Sequence, residues 1–418
     1  GTYTSQAANK KNNRECEFLL RDAEWLACFR KDFPEGYPQV EFEEAWKLVL
    51  LNQFHDIIPG SSVREVYEDS DLDYAKVREI GNRVLQKSLR SIGSKHDTSG
   101  MQRPLAVFQN ASLGTQVELP WPAEKGEAPV SAVSEGEAHP VQVVEAFGER
   151  SLVFATPASA LGTVSVVDLS DRAPERTTKL KTGSRRIENA DWSVRFDSNG
   201  NITSIKSMDD DGVEFVQPGK LANLFQILED KPLFWSAWDV DVYSFETAQD
   251  LVKSESFEIV ERGPVRVAAE IVKQFGKSTI RQRISLGPTP GIRFDTMLKV
   301  AFPMNLNASR ATYEIQFGNV ERPTHVNTSW DLAKFEVCAQ KWVDLSEGDL
   351  GVALLNNGKY GYDIRGNVMR MSLLRAPKAP DPMCDMGKHR FTYVLLPHFG
   401  PYQYAQVVPS AYALNAPP

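Results

Sequence analysis

The spacing of apolar residues changes once along this chain, near residue 95, and that change limits the fold more than any other feature. Before it, apolar residues return every three or four positions; after it, they alternate in short runs closed by Gly, Pro, Asn and Asp. The first pattern places one face of a helix in a core, and the second places one face of a strand there. Helices first and strands afterwards imply an α+β multidomain chain. The expected parts are a three-helix bundle over residues 1–95, a small β-sandwich with linkers over 96–185, and a large antiparallel β-sandwich over 186–418. The length agrees, because 418 residues exceed what one core usually organises.

Within the first part, Cys16, Leu19, Leu20, Ala23, Leu26 and Phe29 predict a helix from Asn13 to Phe33 that "PEGYPQ" ends. The stretch "EFEEAWKLVLLNQFHD" predicts a second, with Phe42, Ala45, Trp46, Val49, Leu50 and Phe54 on its buried stripe and His55 in its last turn. Ser62 and Glu65 have the spacing of a capping box for a third helix, which Gly93 would stop. Beyond the polar connector "SKHDTSGMQRP", runs such as "TQVELPW" and "HPVQVVEAF" read as strands. "DWSVRFDSNGNITSIKS" reads as a hairpin turning at Asn199-Gly200.

A net charge of -8 disfavours nucleic acid as a partner and suits a neutral, polar substrate. No apolar run approaches the roughly 18–20 residues of a membrane span, so no membrane partner is expected. Cys16, Cys28, Cys338 and Cys384 lack metal-type pairing, and Cys16 and Cys28 read as small buried hydrophobes of the first helix. Glycosylation triplets begin at Asn110, Asn201, Asn307 and Asn327, a pattern frequent by chance. The chain opens "GTYTSQAANKKNNR" without an initiator Met and stops at "ALNAPP", so a fragment of a longer polypeptide is expected.

Only six histidines occur, and one of them stands against a carboxylate in "LLNQFHDIIPGSS". Two readings of His55-Asp56 are open. A histidine at a helix C-terminus gains from the helix dipole while the aspartate begins the following turn. Alternatively, the neutral imidazole is a metal donor and the adjacent carboxylate holds a substrate hydroxyl. One histidine does not make a zinc site, and no HxxxH, HxD or CxxC spacing exists in this chain to complete one.

"GTYTSQA", "NNRECEFLLRDAEWLA" and "LNQFHDIIPGSSVREVYED" resemble the middle helical domain of the class II α-mannosidases, glycoside hydrolase family 38. "NLFQILEDKPLFWSAWDVDVY", "RATYEIQFGNVERPTHVNTSWDLAKFEV" and "RMSLLRAPKAPDP" are similar to the β region of its cytosolic and vacuolar branch. The resemblance spans nearly the whole chain in the right order. It implies a galactose-mutarotase-like large β-sandwich and an N-terminal catalytic domain upstream. It implies a retaining, zinc-dependent exo-α-mannosidase acting on terminal mannose of oligosaccharides, with cobalt as an alternative metal. Position by position, it implies that His55 ligates zinc and that Asp56 contacts the mannose hydroxyls. The nucleophile, the general acid and the remaining ligands fall outside this chain, so the isolated chain is expected to be inactive. Some relatives carry a second histidine where this chain has Phe54. A homo-oligomer and a cytoplasmic or vacuolar/lysosomal location are also implied.

Lesser candidates lie in the β region. Arg322, with His325 beside it, is expected on a loop that could reach the rim of the sugar site, against the alternative of a salt-bridged loop. Asp239 and Asp241 are expected to alternate on a strand near Trp235 and Trp238, as a buried structural cluster before a sugar platform. His389 and His398 read as packing residues. The rival to an enzyme part is a non-catalytic carbohydrate-binding β-sandwich module with a helical adaptor.

Overall fold

The computed structural model describes residues 1–418 apart from 110–112, 115, 157–161, 176–177, 210 and 297–299. Helix α1 (Ala7–Ala27), α2 (Gln39–Asn52) and α3 (Arg64–Gly93) form the expected bundle. Their core joins Cys16, Leu20 and Ala23 of α1 to Phe42, Ala45 and Val49 of α2 and to Tyr74, Val77 and Val84 of α3.

The ends of the helices differ from the expectation. Helix α1 starts six residues before Asn13 and ends at Ala27, leaving Cys28 and Phe29 exposed. Cys28 is therefore not a buried hydrophobe, although Cys16 is. Helix α2 ends at Asn52, so Phe54 and His55 lie in the turn beyond it, and Leu50 and Phe54 face outward. Helix α3 has Val63 at its N-cap with no side-chain cap. The Ser62 hydroxyl donates instead to the Asp56 carbonyl at 2.6 Å, so the capping-box serine serves the preceding turn.

The small β domain has six antiparallel strands: Pro104–Phe108, Gln116–Pro120, Ser131–Ser134, Glu137–Ala146, Glu149–Ala155 and Val164–Ser170. The long strand Glu137–Ala146 pairs with Ser131–Ser134 through its first residues and with Glu149–Ala155 through the rest. Trp121, Leu152 and Phe154 anchor its core.

A four-stranded sheet follows, from Lys181–Gly183 to Ile202–Ser207. The expected boundary at 185/186 falls in the turn of the hairpin between Lys181–Gly183 and Arg186–Glu188. The hairpin at Asn199-Gly200 forms as expected. Gly200 takes φ +74, and the Asp197 carboxylate accepts from the amides of Asn199 and Asn201.

A six-stranded and a nine-stranded antiparallel sheet complete the large β region. One continuous core, with Phe294, Phe302, Tyr313 and Tyr393 at its centre, joins residues of both sheets. Helix α4 (Ser329–Ala333) lies between strands, and α5 (Val407–Asn415) covers Trp342, Leu355 and Leu396 of the nine-stranded sheet. The bundle is bolted to this region by Arg14 donating to Asn415 and Gln340, and by Gln6 donating to Asp381. Among the described residues, no helix is long and apolar enough to cross a membrane.

Candidate metal and substrate site

Between α2 and α3 the chain makes one compact turn, and its frame is buried although its tip is not. Gln53 Nε2 donates to Asn13 and to Glu17 of α1, at 3.0 and 2.8 Å. Lys10, fully buried in α1, donates its ammonium protons to the carbonyls of Ser5 and Ile58. Burial lowers the Lys10 pKa to about 7. At Gly60 the backbone takes φ +89, and a Cβ there would stand 2.5 Å from the Ser5 carbonyl oxygen. Only glycine closes the turn against the N-terminal segment at this point.

This frame presents His55 and Asp56 to solvent. Their side chains are 76% and 53% exposed, with Nε2 3.3 Å from Oδ2. The Phe54 ring leans on the imidazole, centroids 4.2 Å apart. The helix-end reading of His55 does not hold, because the residue is three positions past the end of α2. An imidazole so placed is free to give a lone pair to a metal, and a half-exposed carboxylate beside it can accept from sugar hydroxyls. Among the described residues no group of three His, Cys, Asp or Glu side chains is arranged to hold a metal ion, so His55 stands outside any such cluster.

Arg322 lies on the strand Gly318–Pro323 rather than on a loop. Its guanidinium sits over the Tyr313 ring at 5.7 Å, and its Nε is buried with no hydrogen-bond partner among the described residues. His325 Nδ1 is 3.8 Å from Asp331, the residue that closes the capping box of α4. The structure thus does not join His325 to the His55 turn.

Asp239 and Asp241 are not on a strand, and the surrounding cluster is not buried. Trp235 and Trp238 are exposed and meet edge to face at 6.1 Å. The Asp241 carboxylate accepts from the Leu233 amide and the Tyr243 hydroxyl, while Arg375 donates to the Asp239 carbonyl. Such local bonds draw an aspartate-rich stretch out of a ladder. His398 is a buried packing residue as expected, and His389 is fixed by a bond between Nε2 and the Asp385 carbonyl at 2.9 Å. Asn201 is buried and bonded to Asp197 and Val252, which removes it as a glycan acceptor; Asn110 lies outside the described residues.

Residues 1–92 match the family model of the alpha mannosidase middle domain, and residues 187–383 match the glycosyl hydrolases family 38 C-terminal domain. The chain belongs to glycosyl hydrolase family 38. It is 38% identical to Alpha-mannosidase 2C1 of Mus musculus, in an alignment covering all of this chain and 40% of that protein. It is 34% identical to Alpha-mannosidase G of Dictyostelium discoideum, over 99% of this chain and 42% of that one. The chain thus spans about 40% of the length of these curated relatives. An α-mannosidase structure from Enterococcus faecalis V583 superposes with a TM-score of 0.81 at 18% identity, covering all of this chain and 57% of that one. That likeness establishes the family 38 fold: a helical domain followed by β domains.

One feature of the site was missed by sequence reasoning. Lys10 holds the His55 turn from inside, and its place among polar neighbours in "AANKKNNRE" gave no sign of burial. A sequence signal did exist at Gly60, where a Pro-Gly pair ends an apolar run.

Proposed function

We propose that this chain is the scaffold part of a retaining, zinc-dependent exo-α-mannosidase that removes terminal α-linked mannose from oligosaccharides. The observation that carries the reading is an exposed imidazole and carboxylate held on one rigid turn of a family 38 middle domain. His55 contributes one neutral nitrogen to the metal shell, and the other ligands come from polypeptide outside this chain. Zinc, or cobalt in its place, supplies polarisation and orientation of vicinal sugar hydroxyls. Asp56 accepts from a hydroxyl of the same mannose and fixes its orientation. Phe54 walls one side of the imidazole. A carboxylate nucleophile and a carboxylic acid from the upstream catalytic domain perform a two-step displacement with retention.

Metal analysis of the complete polypeptide tests this directly. Wild type is expected to hold zinc stoichiometrically and to hydrolyse an aryl α-mannoside; His55→Ala is expected to lose both while keeping the melting temperature of metal-free wild type. Equal zinc in the two proteins would defeat the assignment of His55. Strong turnover by the isolated 418-residue chain would show that the nucleophile has been misplaced.

A further inference from the structure

A cleft of about 990 Å³ opens between α1, the turn that carries His55, and the hairpin formed by strands Arg310–Ile315 and Gly318–Pro323. Its size is at the upper end of the roughly 300–1,000 Å³ range of small-molecule sites. Its charged groups are already engaged within the protein: Lys341 Nζ lies 2.6 Å from Glu314, Glu17 accepts from the Gln53 amide, and Lys10 donates to backbone carbonyls. Amides and aromatic rings make up much of the remaining lining, which suits a neutral, hydroxyl-rich molecule.

Two side chains are unsatisfied in a way that points to a ligand. Phe317, at the tip of the hairpin, is fully exposed at 110% and takes φ +59. A left-handed backbone at an aromatic residue costs free energy, and a ring wholly in water returns none of it. Trp342 also lines the cleft, is 2% exposed, and packs on Tyr402 at 4.9 Å. Its indole N–H is buried with no acceptor among the described residues. A buried donor without a partner is costly until something supplies one.

We propose that this cleft is a saccharide subsite, taking the neutral sugar residues on the leaving-group side of the mannose to be removed. Ile58 and Pro59, two and three positions beyond Asp56, line it, so a saccharide ending at the His55 turn extends into it. Phe317 stacks on the C–H face of a pyranose, and a sugar hydroxyl accepts from the Trp342 indole. Asn319, which donates to the Tyr402 hydroxyl at 2.9 Å, and Gln53 place amide groups on either side. The leaving-group direction rests on the mannosidase reading, whereas saccharide binding in the cleft does not.

The test uses the complete polypeptide and compares kcat/KM for a mannose oligosaccharide with kcat/KM for an aryl α-mannoside. Phe317→Ala is expected to lower that ratio about tenfold and Phe317→Trp to restore it; Trp342→Phe, which keeps an aromatic ring and removes the N–H, lowers it about threefold. An unchanged ratio in both Phe317→Ala and Trp342→Phe overturns the subsite. Calorimetric titration of the oligosaccharide into the His55→Ala protein separates the two readings. Binding that persists and weakens on adding Phe317→Ala supports the cleft even where no mannoside is turned over. Absence of binding to the His55→Ala protein, or binding that Phe317→Ala leaves unchanged, overturns it.

Discussion

His55–Asp56 and His398–Asp344 are the same two functional groups at similar separations, 3.3 and 2.9 Å, in opposite surroundings. The first pair is largely in water, and its members are neighbours in sequence. The second is 4% and 1% exposed and spans the nine-stranded sheet. Asp344 and His398 sit on Trp342–Glu347 and Phe391–Phe399, the two neighbours of strand Leu350–Asn356. They meet across that strand because Gly351 leaves the space: a Cβ there would stand 2.3 Å from the His398 ring. His398 Nδ1 is bonded to the Gly400 carbonyl, and Asp344 also accepts from the Ser346 hydroxyl. Every polar atom of the buried pair is committed to the fold. An exposed polar contact, by contrast, contributes roughly 0–1 kcal/mol and so does little to stabilise its turn. The difference separates a histidine that builds the sheet from one that is presented to a ligand.

Breaking the buried pair gives the largest expected effect on stability. His398→Ala leaves a cavity and strips a buried carboxylate of its partner, at a cost of about 3 kcal/mol or more. His55→Ala, on the same scale, is expected within about 0.5 kcal/mol of wild type. Chemical denaturation of both variants checks the contrast. Equal destabilisation by the two would erase the distinction between them.

The support beneath the exposed pair comes next. Lys10 is fully buried, and burial lowers its pKa from 10.5 to about 7. Below pH 7 the folded and unfolded chains both carry the proton, and the folded chain bears the full desolvation cost of the ammonium. Between pH 7 and about 10.5 the folded chain gives up the proton and the unfolded chain keeps it, so this group adds stability as pH rises. Lys10→Met lacks that gain. Its deficit relative to wild type is expected to be smaller at pH 6 than at pH 9, by on the order of 2 kcal/mol. Denaturant unfolding at the two pH values reads it, and a larger deficit at pH 6 would mean that its bonds to Ser5 and Ile58 favour the charged form.

The contrast between the pairs also marks what could be read from sequence. His55-Asp56 is visible because the two residues are adjacent, whereas Asp344 and His398 meet only through sheet pairing, 54 positions apart. The bundle was legible from apolar spacing, since Cys16, Leu20, Phe42 and Val49 all lie in its core. The end of α2 was not. Apolar residues continue through Phe54, while side-chain bonds from Asn52 to Asp73 and from Gln53 to Glu17 fix residues on either side of the helix end. Alternation misled at Asp239 and Asp241 for a similar reason, because bonds to Arg375, Leu233 and Tyr243 replace a ladder there. Polar partners invisible to periodicity decided both cases, distant in sequence at the end of α2 and partly local at Asp241.

Phe54 offers the smallest and most selective test of the exposed pair. Its ring is itself exposed and touches the His55 imidazole at 4.2 Å, tilted by 42°. An exposed aromatic contact of this kind contributes at most about 1 kcal/mol, and little of it reaches global stability. Phe54→Ala should therefore leave the denaturation midpoint of the complete polypeptide nearly unchanged. It frees the imidazole to rotate, so zinc affinity, measured by competition with a chelator, is expected to fall severalfold. Loss of stability without loss of metal would place Phe54 in the core stripe that its sequence position suggested. Loss of metal alone would show that the aromatic wall orients His55, on a turn whose frame is held from below by Lys10 and Gln53.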